Sequence, residues 1–323
     1  MSKEIFTHIA ILTAHIAQNI IEKEGIHDFC ISPCDLAVIC HEKHYIQKEI
    51  IGKMMTHISD YEYLERRGEV YILADAWRRM LPAKIDSEKI LREQGLINLY
   101  HFQELISKHF LEIARNDSQK ITLNELIYYL DSIDGSKGLQ NIRSEVISNL
   151  NIPESPKRIF DFNFGLGYST NQLANIYEYC EIFSFNLINS LKDACEYTLA
   201  RYNKSNVIFS KNYPSEMLNN VMKEKVDRIF MFNPLGLELK EFEKYLNIAQ
   251  QISCEGTKLI ITIPFLDQPK NVLISEWLGN CIEGMGQYMS SDYYRVILPK
   301  YKFEINKLDT TTNTLIATRH HDL

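Results

Sequence analysis

The sequence predicts an α/β chain: a doubly wound, mostly parallel sheet in the second half, preceded by a mainly helical half that carries one charged β-hairpin. Three observations predict it. Beyond residue 156, short apolar strand segments alternate with amphipathic helices; the first of those strands runs into a glycine turn; and apolar residues in the first half recur every three or four positions, as on a helix face.

In the first half, Ile5 to Ile21 places Ile9, Leu12, Ile16 and Ile20 on one helical face and stops at Glu24-Gly25. Cys34 to Cys40 and Tyr45 to Ile58 read as two further helices. Tyr63 to Leu73 reads as two strands around Arg67-Gly68-Glu69. Helices followed by a charged hairpin make a winged-helix-like domain over residues 1–98. Its third helix holds Lys48 and Lys53 beside Glu49, and Ile46, Ile50, Ile51, Met54 and Met55 dominate, so that face suits protein rather than phosphate. Together with the first helix, this apolar set exceeds what one small domain needs to bury. Part of it is therefore expected to face a second subunit, making a homodimer. Leu99–Ala114, 123–130 and 139–150 form a helical connector (99–152), and Pro153 and Pro156 mark the start of the sheet domain, 153–323.

Residues 157–167 read as a buried strand that ends on Asp161 and enters a turn with Gly165 and Gly167, opening a helix. Glycines let a ligand approach the main chain, and the helix points free N–H groups at the same spot, so a nucleotide-like cofactor site is expected there. A βαβ unit follows: strand 182–185, a polar turn at Asn186, helix 190–202 and strand 206–209. Strand 227–232 then ends at Asn233-Pro234. A helix from Lys240 to Ser253, the break Glu255-Gly256 and a strand from Lys258 to Pro264 complete the alternation.

Over residues 155–320 this pattern resembles the class I S-adenosylmethionine-dependent methyltransferases, which have a Rossmann-like fold. The resemblance implies that Asp161, Asn163, Gly165 and Gly167 cradle the methionine part of S-adenosylmethionine, that Asn186 lies at the ribose and that Asn212 lies near the adenine. Three positions where that family places Gly, Asp and Asp hold Asn163, Asn186 and Asn212 here. A carboxylate accepts both ribose hydroxyls, whereas an amide has one acceptor oxygen and two donors, so Asn186→Asp is expected to tighten the cofactor. Gly167→Val is expected to block the ligand and spare the fold. The segment Tyr293 to Thr318 resembles the family's closing antiparallel pair.

A winged-helix-like domain, a helical connector and a Rossmann-like domain, in that order, resemble the small-molecule O-methyltransferases, in which the first domain makes the homodimer and roofs the substrate pocket. Methyl transfer to a small-molecule acceptor is the implied activity. A cofactor-free structural or regulatory descendant is the runner-up, and aminopropyl transfer on the same fold ranks behind it because no acid pair stands at 232–236. Asn233-Pro234-Leu235-Gly236 sits where amino-group methyltransferases carry a substrate-binding motif, which makes Asn233 a catalytic candidate, with a simple strand-ending turn as the alternative. No histidine base follows the fourth strand between Phe232 and Ile248; Glu238, with Glu241 nearby, is the carboxylate available instead.

Other signals are bland. Cys30, Cys34, Cys40, His41 and His44 have no standard zinc spacing and read as buried thiols and surface histidines. His101 and His109 lie near one helical face, within reach of a pocket roof or simply on the surface. A net charge of −7 argues against nucleic-acid binding, and no apolar run approaches the roughly 18 residues of a membrane helix. The start of the chain lacks a signal-peptide layout, and seven cysteines, an odd number, suit reduced thiols in a cytoplasm.

Overall fold

The structure, a computed structural model, describes residues 2–78, 84–116, 120–148, 150, 156–186, 188–210, 219, 221, 223–232, 239–262, 276–284, 289–309 and 313–320. The chain divides into two compact units, residues 1–122 with 268–285, and residues 123–267 with 286–323. The first unit therefore runs past residue 98 and takes back a late segment. The stretch read as a connector is shared: its first helix belongs to the first unit and its other two to the second.

Helices α1 (Ser2–Lys23), α2 (Ile26–Phe29), α3 (Leu36–Glu42), α4 (Lys48–Ser59), α5 (Lys84–Glu93) and α6 (Ile97–Arg115) make the first unit, with strands β1 (Cys34–Asp35), β2 (Leu64–Arg67) and β3 (Val70–Leu73). The strands form an antiparallel sheet in the order β1-β3-β2, the hairpin turning at Gly68 with φ 66°. Helix α3 starts where Asp35 caps it, its carboxylate accepting the Ala37 N–H at 2.7 Å. Helix α5 carries no strong sequence pattern.

Ile9, Leu12, Ile16 and Ile20 of α1 and Ile50, Ile51, Met54 and Met55 of α4 are all buried within the chain itself. Each such side chain contributes roughly 1.5–3 kcal/mol to the core of its own unit. The apolar excess expected to face a second subunit is thus already consumed; of the residues in that set only Ile46 remains largely exposed. Inside this core Thr13 donates to Gln103 Oε1 at 2.8 Å, a buried polar tie between α1 and α6.

The second unit opens with α7 (Leu123–Asp134) and α8 (Lys137–Ser148). It continues as β4 (Arg158–Phe162), α9 (Tyr168–Ile176), β5 (Glu181–Phe185), α10 (Lys192–Tyr202), β6 (Val207–Ser210), β7 (Val226–Phe232), α11 (Leu239–Ile252) and β8 (Ser253–Thr262), and closes with a helix Ser291–Lys300, β9 (Phe303–Asp309) and β10 (Thr314–Arg319). Seven strands lie in the order β6-β5-β4-β7-β8-β10-β9. Strands β4 to β8 pair parallel, and β10 is antiparallel to both β8 and β9. The chain builds outward from β4 to β6 and then returns to β7 on the other side of β4. That reversal creates a switch point at the carboxyl ends of β4 and β7, where ligands bind in open α/β sheets.

Apolar residues on one face of the sheet, among them Ile159, Ile182, Phe230 and Ile260, which stand beside one another across β4, β5, β7 and β8, pack with Leu173 of α9 and with Val146 and Ile147 of α8. One expectation is corrected here. Glu255-Gly256 does not separate helix from strand; it lies inside β8, where Gly256 takes φ 84° and the pairing with β7 slips register. The closing antiparallel pair expected within Tyr293 to Thr318 is present as β9 and β10, preceded by the helix Ser291–Lys300, which Ser290 caps by accepting from Tyr293 N.

Candidate functional site

Strand β4 delivers Asp161 to the switch point because its neighbours Phe160 and Phe162 anchor it in the core, all three with 0% exposure. Its Oδ2 accepts Ser169 Oγ at 3.0 Å and Thr170 Oγ1 at 2.6 Å, both from the first turn of α9, while Oδ1 is buried with no partner. Burial pushes this carboxyl up to about 6, opposed by the two hydroxyls and by the Arg143 charge. Ser184, opposite Asp161 on β5, closes the network with an oxygen 2.8 Å from Thr170 Oγ1.

The turn itself is held from within. Asn163, 1% exposed, accepts the Gly165 N–H on Oδ1 at 2.9 Å and donates from Nδ2 to Thr170 Oγ1 and Cys195 Sγ, each at 3.2 Å. Gly167 takes φ 94°, a left-handed conformation that opens α9. A Cβ there would stand 3.0 Å from Leu199 Cγ and 3.3 Å from the Cys195 carbonyl, both on α10. Gly167 is therefore needed for the turn and for helix packing, so a valine there strikes the fold itself, contrary to the expectation that it would only obstruct a ligand.

Asn186, at the end of β5 with 0% exposure, uses both ends of its amide inside the chain. Nδ2 donates to the Gly165 carbonyl at 2.9 Å, and Oδ1 accepts the Ile188 N–H at 2.8 Å. It ties the β5 turn to the glycine turn, and an aspartate there would set a carboxylate against a carbonyl oxygen.

Sequence reasoning missed a second layer. Asp134, the last residue of α7, accepts the Leu166 N–H of the turn on Oδ2 at 2.9 Å and Arg143 NH1 on Oδ1 at 2.7 Å. A Cβ on Gly165 would lie 2.5 Å from that Oδ2, so Gly165 is a glycine to admit Asp134. Next to it a Cβ on Gly135 would overlap the Tyr168 ring at 2.7 Å, and Tyr168 in turn donates to Asp131 at 2.9 Å. No local pattern in the sequence announces an acid meeting a loop thirty-two positions away.

Asn212, Asn233 and Glu238 lie outside the described residues. Glu241 pairs with Lys244 at 2.5 Å on the surface of α11. His101 and His109 are exposed on α6, the former 3.3 Å from Glu104. Cys30, Cys34 and Cys40 are buried in the first unit, the Cys30 thiol pushed up to about 12 by burial. Among the described residues no three His, Cys, Asp or Glu side chains converge to hold a metal ion, and no helix is long and apolar enough to cross a membrane. The first unit also holds a cavity of about 590 Å³ lined by Lys48, Lys53, Arg66, Asp60, Tyr71 and Trp277, which shares no residue with the glycine turn.

The residues at the turn fit the amino-acid end of a ligand. Asp161 keeps one buried acceptor oxygen without a partner, suited to an ammonium group, and the turn amides at Gly165 and Leu166 already carry anionic or carbonyl oxygens of the chain itself. Such oxygens mark where a ligand's oxygens are received.

No protein-family model matches the chain, and no curated protein matches it. Solved structures do. The CurJ carbon methyltransferase matches with TM-score 0.65 at 10% identity over 98% of this chain and 93% of that one. An O-methyltransferase family 2 protein from Planctomyces limnophilus, in complex with apigenin, gives 0.55 at 11% identity, covering 99% and 96%. Human N-acetylserotonin methyltransferase in complex with SAM gives 0.50 at 12% identity, covering 96% and 95%. These coverages span both units. The chain shares the fold of the O- and C-methyltransferases it matches, a Rossmann-like sheet unit together with a helical unit.

Proposed function

We propose that this chain transfers a methyl group from S-adenosylmethionine to a small-molecule acceptor. The observation that carries the reading is the strand, turn and helix at Arg158–Ile176, with Asp161 fully buried at the strand end beside the switch point of a sheet closed by an antiparallel β10. The likeness of both units to O- and C-methyltransferases supports it. When bound, the cofactor supplies a methyl group on a sulfonium, ready for in-line displacement. In this reading Asp161 receives the ammonium, the amides of Gly165 and Leu166 face the amino-acid end, and Asn186 fixes the turn rather than touching the ribose. Alignment of acceptor and methyl supplies most of the acceleration, so the lack of a histidine after β7 is compatible with turnover. Asn233 and Glu238 are proposed as the polar groups that meet the acceptor, and Asn212 as a contact to the adenine.

The first unit is proposed to act as a winged-helix-like platform that pairs two chains. Among the described residues of that unit, Ile31, Val38, Ile46 and Ile85, exposed by 71%, 48%, 65% and 79%, are the large apolar residues left for such pairing.

Isothermal titration with S-adenosylhomocysteine tests the reading. Heat of binding at micromolar to millimolar ligand is expected, together with mass gain of 14 Da per acceptor in extracts supplied with S-adenosylmethionine (one methyl replacing one hydrogen, about 14 Da). A cofactor-free structural role is favoured instead if no heat is seen, and the internally paired amides of the turn are the feature that would explain it.

A further inference from the structure

We infer that Asp134 is an internal stand-in for the ligand's carboxylate, and that Arg143 is the residue that receives that carboxylate once Asp134 withdraws. The inference rests on the reading of the glycine turn as the cofactor site.

Asp134 bridges two donors with its two oxygens: Leu166 N–H in the turn at 2.9 Å and Arg143 NH1 at 2.7 Å. An anion on a turn amide and a guanidinium is what a bound carboxylate requires, because charge-assisted bonds from a fork of donors give both strength and geometry. Here the chain provides the anion.

Arg143 does not depend on that anion for its position. Its NH2 donates to the main-chain oxygen of Asp134 at 2.7 Å, and its Nε donates to Gln172 Oε1 at 2.9 Å. Gln172 is itself pinned, its Nε2 donating to the Gln140 carbonyl and to Ser144 Oγ, each at 2.6 Å. If the Asp134 side chain rotates away, NH1 and the Leu166 N–H remain in place and unsatisfied, a preformed receptor for one carboxylate. The Arg143 side chain is 8% exposed, so leaving it without an anion is costly, whereas Asp134 at 17% sits nearer solvent at the last residue of its helix. A ligand carboxylate can thus replace Asp134 without net loss of paired charge. A ligand lacking a carboxylate gains nothing there.

The test uses the full chain and two probes in calorimetric titrations. S-adenosylhomocysteine carries the amino-acid carboxylate, and 5′-methylthioadenosine shares its nucleoside and lacks it. Asp134→Asn is expected to bind S-adenosylhomocysteine about tenfold more tightly than the unmutated chain, and Arg143→Gln about tenfold more weakly, with methylthioadenosine changed less than twofold in both. Thermal melting guards the fold, and Asp134→Ser replaces Asp134→Asn if the latter fails to melt cooperatively. An unmutated chain that binds S-adenosylhomocysteine, with affinity unmoved by the Asp134 change or moved equally for both probes, overturns the stand-in while leaving the cofactor site intact. Binding by none of the proteins overturns both together.

Discussion

The two units handle buried polarity in opposite ways. In the first, the core around α1, α4 and α6 is apolar with isolated polar atoms, and His57 Nε2 and Trp277 Nε1 are buried there without partners. In the second, the carboxyl end of β4 concentrates Asp161, Asn163, Ser169, Thr170, Ser184 and Asn186 in one connected network. An apolar core with lone polar atoms specifies shape. A connected network at a switch point holds a backbone turn in a conformation it would not otherwise keep, and this is how a binding site is built before its ligand arrives.

On that contrast, Gly167→Val is expected to damage the second unit alone. A β-branched residue at φ 94°, pressed against Leu199 and the Cys195 carbonyl, costs roughly 3 kcal/mol or more. Hydrogen exchange should show protection lost in β4, β5 and α9 and kept in α1 and α4; uniform loss would merge the two units into one cooperative block.

Acid should split the units by sign. The Asp161 carboxyl is raised from 3.8 to about 6, so its charged form burdens the fold above pH 6 and the second unit gains stability as pH falls from 6 towards 4. His57 is lowered from 6.5 to about 4 by burial, with the Asp60 charge and a hydrogen bond to the Ala10 backbone opposing. Its contribution is complete above pH 6.5 and is lost on the way down to pH 4, so the first unit weakens over the same range. Each effect is at most roughly 3 kcal/mol. Exchange rates corrected for intrinsic chemistry, followed between pH 7 and 4.5, should diverge; parallel slopes would contradict the contrast.

Asn186→Asp sharpens the network side. The substitution removes the donor to Gly165 O and should cost roughly 2 kcal/mol at pH 7, partly recovered below pH 5 when the new acid can donate a proton to that carbonyl. Urea titrations at both pH values measure it. A stabilised variant with tighter S-adenosylhomocysteine binding would instead restore Asn186 to the ribose. Smallest is Asn163→Gly, expected to cost roughly 1 kcal/mol through the lost bonds to Gly165 N and Thr170 while freeing a turn amide for the ligand. Tighter S-adenosylhomocysteine binding with a lower melting temperature is the expected pair of readouts.

Much of this was legible in the chain. Helical spacing of Ile9, Leu12, Ile16 and Ile20 marked α1, and the hairpin around Gly68 followed from its turn residues, because both signals are local and repeat within one element. Alternating strands and helices after residue 156 gave the parallel sheet, since covered strands must be apolar on both faces. Asp161, Asn163, Gly165, Gly167 and Asn186 are legible as strand-end and turn residues for the same reason: they punctuate strand ends. Their roles were not found. Whether Asn186 meets a ligand or Gly165 O, and whether Gly165 admits a cofactor or Asp134, depends on which groups converge from elements far apart in sequence. So does the fate of the apolar faces of α1 and α4, part of which was expected to face a second subunit and which folding buries inside one chain. Periodicity fixes which side of an element is buried, through the 3.6-residue and two-residue repeats; only the packing of α7, α8 and α10 around the glycine turn decides what each buried group touches.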